Sequence, residues 1–153
     1  MARMDDIPAA EREVIRSLDC PKFETAPFVS GPPAAQRRVA IISTAGLQRR
    51  GDRPFSADAG DYRIIPAGTA PGDIVMSHVS PNFDRTGFQA DVNVAFPLER
   101  LHEMAAAGEI GSVADLHYSF MGASTPAELE DKARELAGHL AADNVDAVLL
   151  VPI

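Results

Sequence analysis

Two continuous apolar runs constrain the fold of this chain more than any other feature. One lies within residues 38–44, RVAIIST, and the other within residues 145–152, VDAVLLVP. Runs rich in β-branched and aliphatic residues are typical of strands that are covered on both faces of a sheet. We therefore expect a buried strand in each place, with the second one ending the printed sequence.

The segments between these runs predict the rest of an α/β fold. Shorter strands are indicated at residues 62–66, 74–78 and 115–120, with a short extended segment at 91–96. A helix is expected from Pro97 to Gly108, and a second one after Thr125, where Thr-Pro-Ala-Glu forms a capping box. Crossovers of helical length join parallel strands. The order thus predicts a three-layer, mainly parallel, doubly wound (Rossmann/flavodoxin-like) sheet.

The chain divides into two parts of different character. Residues 1–37 predict a short helix at 8–18 followed by an extended, proline-rich arm, and residues 38–153 form the α/β domain. Apolar side chains on such an arm need a surface to lie on, which favours a homo-oligomer. Residues 47–61 show no helical period and predict a long surface loop of the kind that often forms a lid or binding segment.

Composition excludes several classes of function. The net charge of -8 and a pI near 4.9 argue against nucleic acid as a partner, because phosphate binding needs a basic surface. Cys20 is the sole cysteine, so neither an internal disulfide nor a thiolate zinc cluster is expected. No segment has the pattern of a signal peptide or a bilayer-spanning helix. We expect a soluble cytoplasmic protein that uses no metal and no cofactor.

Polar side chains that carry chemistry cluster just beyond predicted strand ends, where ligands bind in open α/β sheets. The candidate site residues are Thr44, Gly46, His78, Asn82, Asp84, Arg85, Asp91 and His117. Histidine near neutrality acts as acid, base or ligand. For His78 and His117 alike, a hydrogen-bonded core histidine is the plain alternative. For Asp84 with Arg85, a structural salt bridge is as good an interpretation as substrate binding.

Two segments carry a resemblance to a known family. They are SHVSPNFDRTGFQADVNVAFPLERL, from residue 77, and GEIGSVADLHYSFMG, from residue 108. Both resemble the selenoprotein B family, which holds the substrate-specific subunits of glycine, sarcosine and betaine reductases and the related D-proline reductase subunit. The resemblance implies reductive cleavage of a carbon–nitrogen bond, with selenocysteine or cysteine as nucleophile and a dithiol as electron source. It also implies that the reactive residue lies beyond a buried strand like residues 145–151.

The sequence departs from this family in one respect that matters for activity. It has no cysteine after Cys20, and neither serine nor histidine replaces a selenolate in that reaction. The chain is thus a shortened form, a divergent one that keeps the substrate pocket, or one whose partner subunit supplies the thiol or selenol.

Two functional hypotheses follow, and whether the chain is itself an enzyme stays open between them. In the first, a reductase-family protein holds a small amino acid or betaine-like ligand, and His78 and Asp84 are its catalytic residues. His78 donates a proton or orients the ligand, Arg85 pairs with its carboxylate, and Asp84 or Asp91 holds the amine or fixes Arg85. In the second, the chain is a non-catalytic binding or complex subunit.

Overall fold

The computed structural model describes residues 4–17, 22, 24, 26, 28–57, 59–80 and 84–153. Its helices are α1 (Ala9–Ser17), α2 (Thr86–Ala90), α3 (Leu98–Ala106) and α4 (Pro126–Ala142). Its strands are β1 (Arg38–Ser43), β2 (Leu47–Arg49), β3 (Tyr62–Pro66), β4 (Ile74–Met76), β5 (Ser112–Val113), β6 (Leu116–Phe120) and β7 (Ala147–Val151). Short 3-10 turns occur at Met4–Asp6, Ala34–Gln36, Pro71–Asp73 and Val92–Val94.

A five-stranded mixed sheet is built around β1. β5 and β6 pair in parallel with β1, one after the other along the same side, and β7 pairs in parallel on the opposite side. β3 continues the sheet antiparallel to β6. The predicted α/β class is therefore confirmed, and the sheet combines parallel and antiparallel strands.

The register of β1 changes where β5 passes into β6. Arg38 lies opposite Ser112, whereas Ile42 lies opposite Tyr118, so an advance of four positions along β1 matches an advance of six positions along its neighbour. The extra residues form a bulge at Ala114 and Asp115, which interrupts the ladder of backbone hydrogen bonds. The middle of β1 consequently needs another hydrogen-bond partner on this side.

Two apolar clusters cover opposite faces of the sheet, because successive side chains of a strand point to opposite faces. The first contains Val39 and Ile41 of β1 with Phe96 and Leu101, next to and within α3. The second contains Tyr118 and Phe120 of β6 with Leu136 of α4, and Ile42 packs against it. α3 and α4 thus pack on different faces.

The capping box at the start of α4 is confirmed. The Thr125 hydroxyl accepts a hydrogen bond from the Glu128 backbone N–H at 3.4 Å. The Glu128 carboxylate accepts one from the Thr125 N–H at 2.6 Å. At the other end of α4, Asp143 accepts from the guanidinium of Arg38 at 2.5 Å and from the Asp115 N–H at 2.8 Å. The helix is therefore anchored to β1 and to the bulge.

The expectation of a buried final strand is wrong. Val148, Leu149 and Leu150 are 39%, 38% and 61% exposed. β7 has β1 as its only strand partner within the described residues, so it forms an edge of the sheet. Its apolar sequence is typical of a central strand, although β7 lies at an edge of the sheet.

Two other expectations need correction. β4 begins at Ile74 as predicted, but it pairs antiparallel with β2 in a separate two-stranded sheet. The segment expected to be extended at 91–96 instead forms the 3-10 turn Val92–Val94, because the Asp91 carboxylate accepts from the Asn93 N–H at 2.9 Å and caps it. The alternation of polar and apolar residues there reflects a turn with one packed side.

The predicted loop at residues 47–61 begins with β2 and then follows the surface. Phe55 and Ala59 are buried against Met121, just after β6. The Arg63 side chain donates to the carbonyl oxygens of Arg53 and Pro54 and lies 4.3 Å from the centre of the Phe55 ring. The described part of this loop thus packs against Met121 and Arg63. No helix in the described part of the chain is long and apolar enough to cross a bilayer.

Candidate functional site

The carboxyl ends of β1, β6 and β7 lie side by side, and hydrogen bonds join the residues at and after the ends of these strands. The Thr44 N–H donates to the Val151 carbonyl at 3.1 Å, and the Gly46 N–H donates to the Phe120 carbonyl at 2.9 Å. The Thr44 hydroxyl accepts from the Ile153 N–H at 2.8 Å. We call the place where Thr44, Gly46, His78 and Gly122 meet the strand-end site.

Two glycines let the backbone approach His78 closely. Gly46 has φ +64°, and a β-carbon there would lie 3.0 Å from the His78 Cα. A β-carbon on Gly122 would lie 2.7 Å from the Thr44 carbonyl oxygen and 3.2 Å from His78 Nε2. Sequence reasoning found Gly46 but missed Gly122. The signal was a glycine two residues after a predicted strand, since glycine marks close backbone approach.

His78 is a buried, neutral imidazole at this rim. It is 6% exposed, and its Nδ1 accepts a hydrogen bond from the Ser80 N–H at 3.2 Å. Burial lowers the pKa of His78, and the charge of Arg85 lowers it further. The neutral ring therefore carries its proton on Nε2, the nitrogen that faces Gly122.

Arg85 is placed against the backbone of the same turn. One nitrogen of its guanidinium donates to the carbonyl oxygens of His78 at 2.5 Å and Ser80 at 3.4 Å. The carboxylate of its neighbour Asp84 accepts from the Thr86 N–H at 2.9 Å and from the Thr86 hydroxyl at 2.7 Å. These hydrogen bonds lower the pKa of the Asp84 carboxyl. Asn82 lies outside the described residues.

Asp91 occupies a different part of the surface. Its carboxylate accepts from the backbone N–H of Asn93 at 2.9 Å and from the Asn93 side chain at 2.8 Å. It lines a hollow of about 320 Å³ together with Phe88 and Glu99. The structure therefore does not bring Asp91 to the strand-end site.

His117 lies inside the sheet, at the bulge. It is fully buried, and its Nδ1 accepts a hydrogen bond from the Ile41 N–H at 2.9 Å. The imidazole therefore supplies the partner that the interrupted ladder lacks. Burial, followed by the charge of His102, lowers the pKa of His117 to about 4. His117 is the second residue of β6, so it lies near the amino end of that strand rather than at the carboxyl rim.

A serine and a glutamine beneath the rim attach the loop after β2. The Ser77 hydroxyl donates to the side-chain oxygen of Gln48 at 2.5 Å and accepts from the Phe55 N–H at 2.9 Å. Gln48 is 4% exposed, so this polar contact is shielded from water. These residues were not among the predicted site residues. Over the ranges that the structure describes, no three His, Cys, Asp or Glu side chains are grouped to hold a metal ion.

The chain is similar in sequence to subunits of known reductases. A family model described as glycine/sarcosine/betaine reductase selenoprotein B matches residues 33–152. The D-proline reductase subunit gamma of Acetoanaerobium sticklandii is 32% identical over 116 residues, which cover 73% of this chain and 47% of that protein. No solved structure gives a significant match.

Two further relatives cover more of the chain. The betaine reductase complex component B subunit beta of Peptoclostridium acidaminophilum is 29% identical, covering 97% of this chain and 38% of the relative. The glycine reductase complex component B subunit gamma of Symbiobacterium thermophilum is 28% identical, covering 85% and 32%. The chain spans less than half the length of these relatives. Because the family model matches residues 33–152, this chain belongs to the glycine/sarcosine/betaine reductase selenoprotein B family.

Proposed function

We propose that this chain is the ligand-binding part of a reductase complex and that it holds a small amino acid or betaine-like molecule at the strand-end site. The observation that carries this proposal is the placement of a buried, neutral His78 between Gly46 and Gly122, where three parallel strands end. Ligands of open α/β sheets bind at such ends. Kinship with subunits named for D-proline, betaine and glycine supports the class of ligand.

Each polar residue at the site has a proposed role. Neutral His78 orients the ligand by a hydrogen bond from Nε2–H, since its lowered pKa leaves little imidazolium to act as an acid near pH 7. Arg85 pairs with the ligand carboxylate, as guanidinium groups commonly do. Asp84, whose lowered pKa keeps it anionic, faces the amine in preference to Asp91, which lines another hollow.

The remaining predicted residues receive smaller roles. Thr44 and Gly46 shape the backbone of the site, and Asn82 is assigned to ligand binding because it lies between His78 and Arg85 in the sequence. We assign His117 to the interior, where it supports β1 without touching the ligand. In the same proposal, residues 38–153 form a doubly wound, three-layer domain, and the protein works in the cytoplasm.

The proposal divides the chemistry between this chain and a partner subunit. Reductive cleavage of a carbon–nitrogen bond needs a nucleophilic selenol or thiol, and a dithiol that becomes a disulfide as it supplies two electrons. Residues 21–153 contain no cysteine. In this proposal a partner subunit supplies the reactive group, and the chain alone binds ligand without turnover. The alternative is an intact reductase, in which the reactive residue follows a strand equivalent to β7.

Calorimetric titration of the purified chain with glycine, glycine betaine and D-proline tests the proposal. At least one of them should bind, and Arg85→Gln should weaken binding by about tenfold or more, because the loss of a charge-assisted pair costs at least about 1.4 kcal/mol. Arg100→Gln is the matched control, since Arg100 is an exposed residue of α3 that pairs with Glu103. Absence of binding by all three ligands, or equal losses in both variants, would contradict the proposal.

A turnover assay separates the two functional readings. Release of ammonia from glycine, release of trimethylamine from glycine betaine and ring opening of D-proline to a primary amine, each with dithiothreitol as reductant, should be undetectable for the chain alone. Clear turnover would exclude the binding-only reading and favour the enzyme. Activity that appears only after a thiol-bearing partner subunit is added would support the division of labour.

A further inference from the structure

β7 is an edge strand without the usual protection of an edge. Residues 147–153 contain no charged side chain, and proline appears only after the strand ends, at Pro152. Natural proteins normally place charges, prolines or bulges on exposed edges to prevent pairing with other chains. Val148, Leu149 and Leu150 are instead partly exposed on both faces. This edge has the properties of a strand that receives a partner.

The register of β7 shows which backbone groups are available to a partner. The Val151 carbonyl accepts from the Thr44 N–H, so Val151 directs its backbone groups toward β1. Successive residues of a strand alternate in this respect. The N–H and C=O groups of Val148 and Leu150 therefore point away from β1, toward the open side of the sheet.

We propose that the partner is a second copy of this chain, paired antiparallel through β7 about a two-fold axis at Leu149. In this register Val148 of each copy lies opposite Leu150 of the other. Each such pair exchanges two hydrogen bonds, so all the outward backbone groups of both residues are used. Leu149 lies opposite Leu149 of the second copy, and Ala147 lies opposite Val151. The strand is complementary to itself in this one register.

The apolar surface beside β7 is large enough for a stable dimer. Phe28 and Val29, at 87% and 82% exposed, border a hollow of about 620 Å³ that Val148, Leu150 and Leu140 also line. Burying the exposed parts of these side chains together with Leu149 removes on the order of 500 Å² of apolar surface per copy from water. The total reaches the lower bound of roughly 1,000 Å² for a specific interface. This inference does not rest on the proposed function.

Sedimentation velocity over a range of concentrations tests the dimer directly. The unmodified chain should sediment as a dimer, and Leu150→Lys should weaken dimerisation by about a hundredfold or more, because two-fold symmetry introduces the charge twice. Val94→Lys is the matched control, since Val94 is 60% exposed and lies in a 3-10 turn away from β7. A monomer at every concentration, or a dimer that survives Leu150→Lys, would overturn the proposal.

A cysteine cross-link tests the register. In a Cys20→Ser background, Leu149→Cys should form a disulfide-linked dimer on mild oxidation. Directly opposed residues of a non-hydrogen-bonded antiparallel pair have Cα atoms about 4.5 Å apart, within disulfide range. Val94→Cys in the same background should stay monomeric on denaturing gels. Failure of Leu149→Cys to cross-link, or equal cross-linking of both variants, would exclude the two-fold pairing at Leu149.

Discussion

The strand-end site and the bulge inside the sheet each contain a buried histidine, and the two differ in what their rings do. His78 is 6% exposed and stands where strands end, with one nitrogen bonded to a local turn and the other facing Gly122. His117 is fully buried and completes the backbone hydrogen bonding of β1 through Ile41. The histidine at the rim lies where we propose that a ligand binds, whereas the histidine at the bulge takes the place of a missing backbone group.

This difference arises from register rather than from residue type. Both histidines follow or enter short apolar runs, and the sequence alone places both near strand ends. The two extra residues between Ser112 and Tyr118 decide the outcome, since they remove a backbone partner from the middle of β1. The pKa of each ring is lowered, first of all by burial, so a lowered pKa by itself does not separate a site residue from a structural one.

The largest effect expected from the comparison is on the free energy of unfolding. His117→Ala should destabilise the fold by about 4 kcal/mol, because it opens a cavity and leaves the Ile41 N–H buried without a partner. His117→Gln keeps an acceptor and should cost about half as much. His78→Ala should cost about 2 kcal/mol, since the rim lies closer to water. Urea unfolding measures all three, and equal losses for His78→Ala and His117→Ala would remove the distinction.

The next largest effect is expected in the pH dependence of the unfolding free energy, through the titration of His117 at the bulge. The folded-state pKa of His117 is about 4, below the ordinary 6.5. Above pH 6.5 the ring is neutral in both states, and its contribution to stability is fully present. Between pH 6.5 and 4 the unfolded chain binds a proton that the folded protein does not, so about 3 kcal/mol is lost as the pH falls.

The matched variant isolates this loss from other titrating groups. His117→Gln keeps the carboxylates of the protein but cannot take up the proton. The difference in unfolding free energy between His117→Gln and the unmodified chain should therefore change between pH 6.5 and 4 and stay constant above pH 7. A constant difference over the whole range would show that His117 does not titrate in that interval.

Much of the architecture was predictable from local patterns. The capping box of α4, β1 and the helix after Pro97 follow from residues within a few positions of one another. The position of β7 at an edge was not, because a continuous apolar run predicts burial without saying which neighbour covers it. The placement of β4 outside the main sheet depends on its pairing with β2, which no local pattern encodes.

The candidate site was predictable to a smaller extent. Proximity along the chain correctly grouped His78 with Arg85, which contact each other through the His78 carbonyl. It also grouped them with Asp91, whose side chain instead caps a turn and lines another hollow. Gly122 was missed because its role depends on a close approach between segments that are distant in sequence.

An alanine at Gly46 should test how tightly the rim is packed around His78. Gly46 and Gly51 both have positive φ, but only Gly46 has neighbours within reach of a β-carbon. Gly51→Ala should therefore cost about 1 kcal/mol from backbone strain, and Gly46→Ala about 2 kcal/mol or more beyond this, because the His78 backbone must move. Thermal unfolding gives the comparison. Equal losses in both variants would mean that the rim accommodates a methyl group freely.

The smallest expected effect comes from Tyr118, which follows His117 in β6 and is fully buried in the cluster against α4. Its hydroxyl finds no hydrogen-bond partner among the described residues, unlike His117 Nδ1, which has one. A buried polar group without a partner costs free energy, so Tyr118→Phe should leave stability unchanged or raise it by up to about 1 kcal/mol. Tyr62→Phe is the control, because its hydroxyl donates to Glu135 and its loss should destabilise slightly. If Tyr118→Phe lowers the unfolding free energy as much as His117→Gln does, then the Tyr118 hydroxyl also has a structural hydrogen-bonding role. His117 and Tyr118 would then both make structural hydrogen bonds, and only their packing would distinguish them.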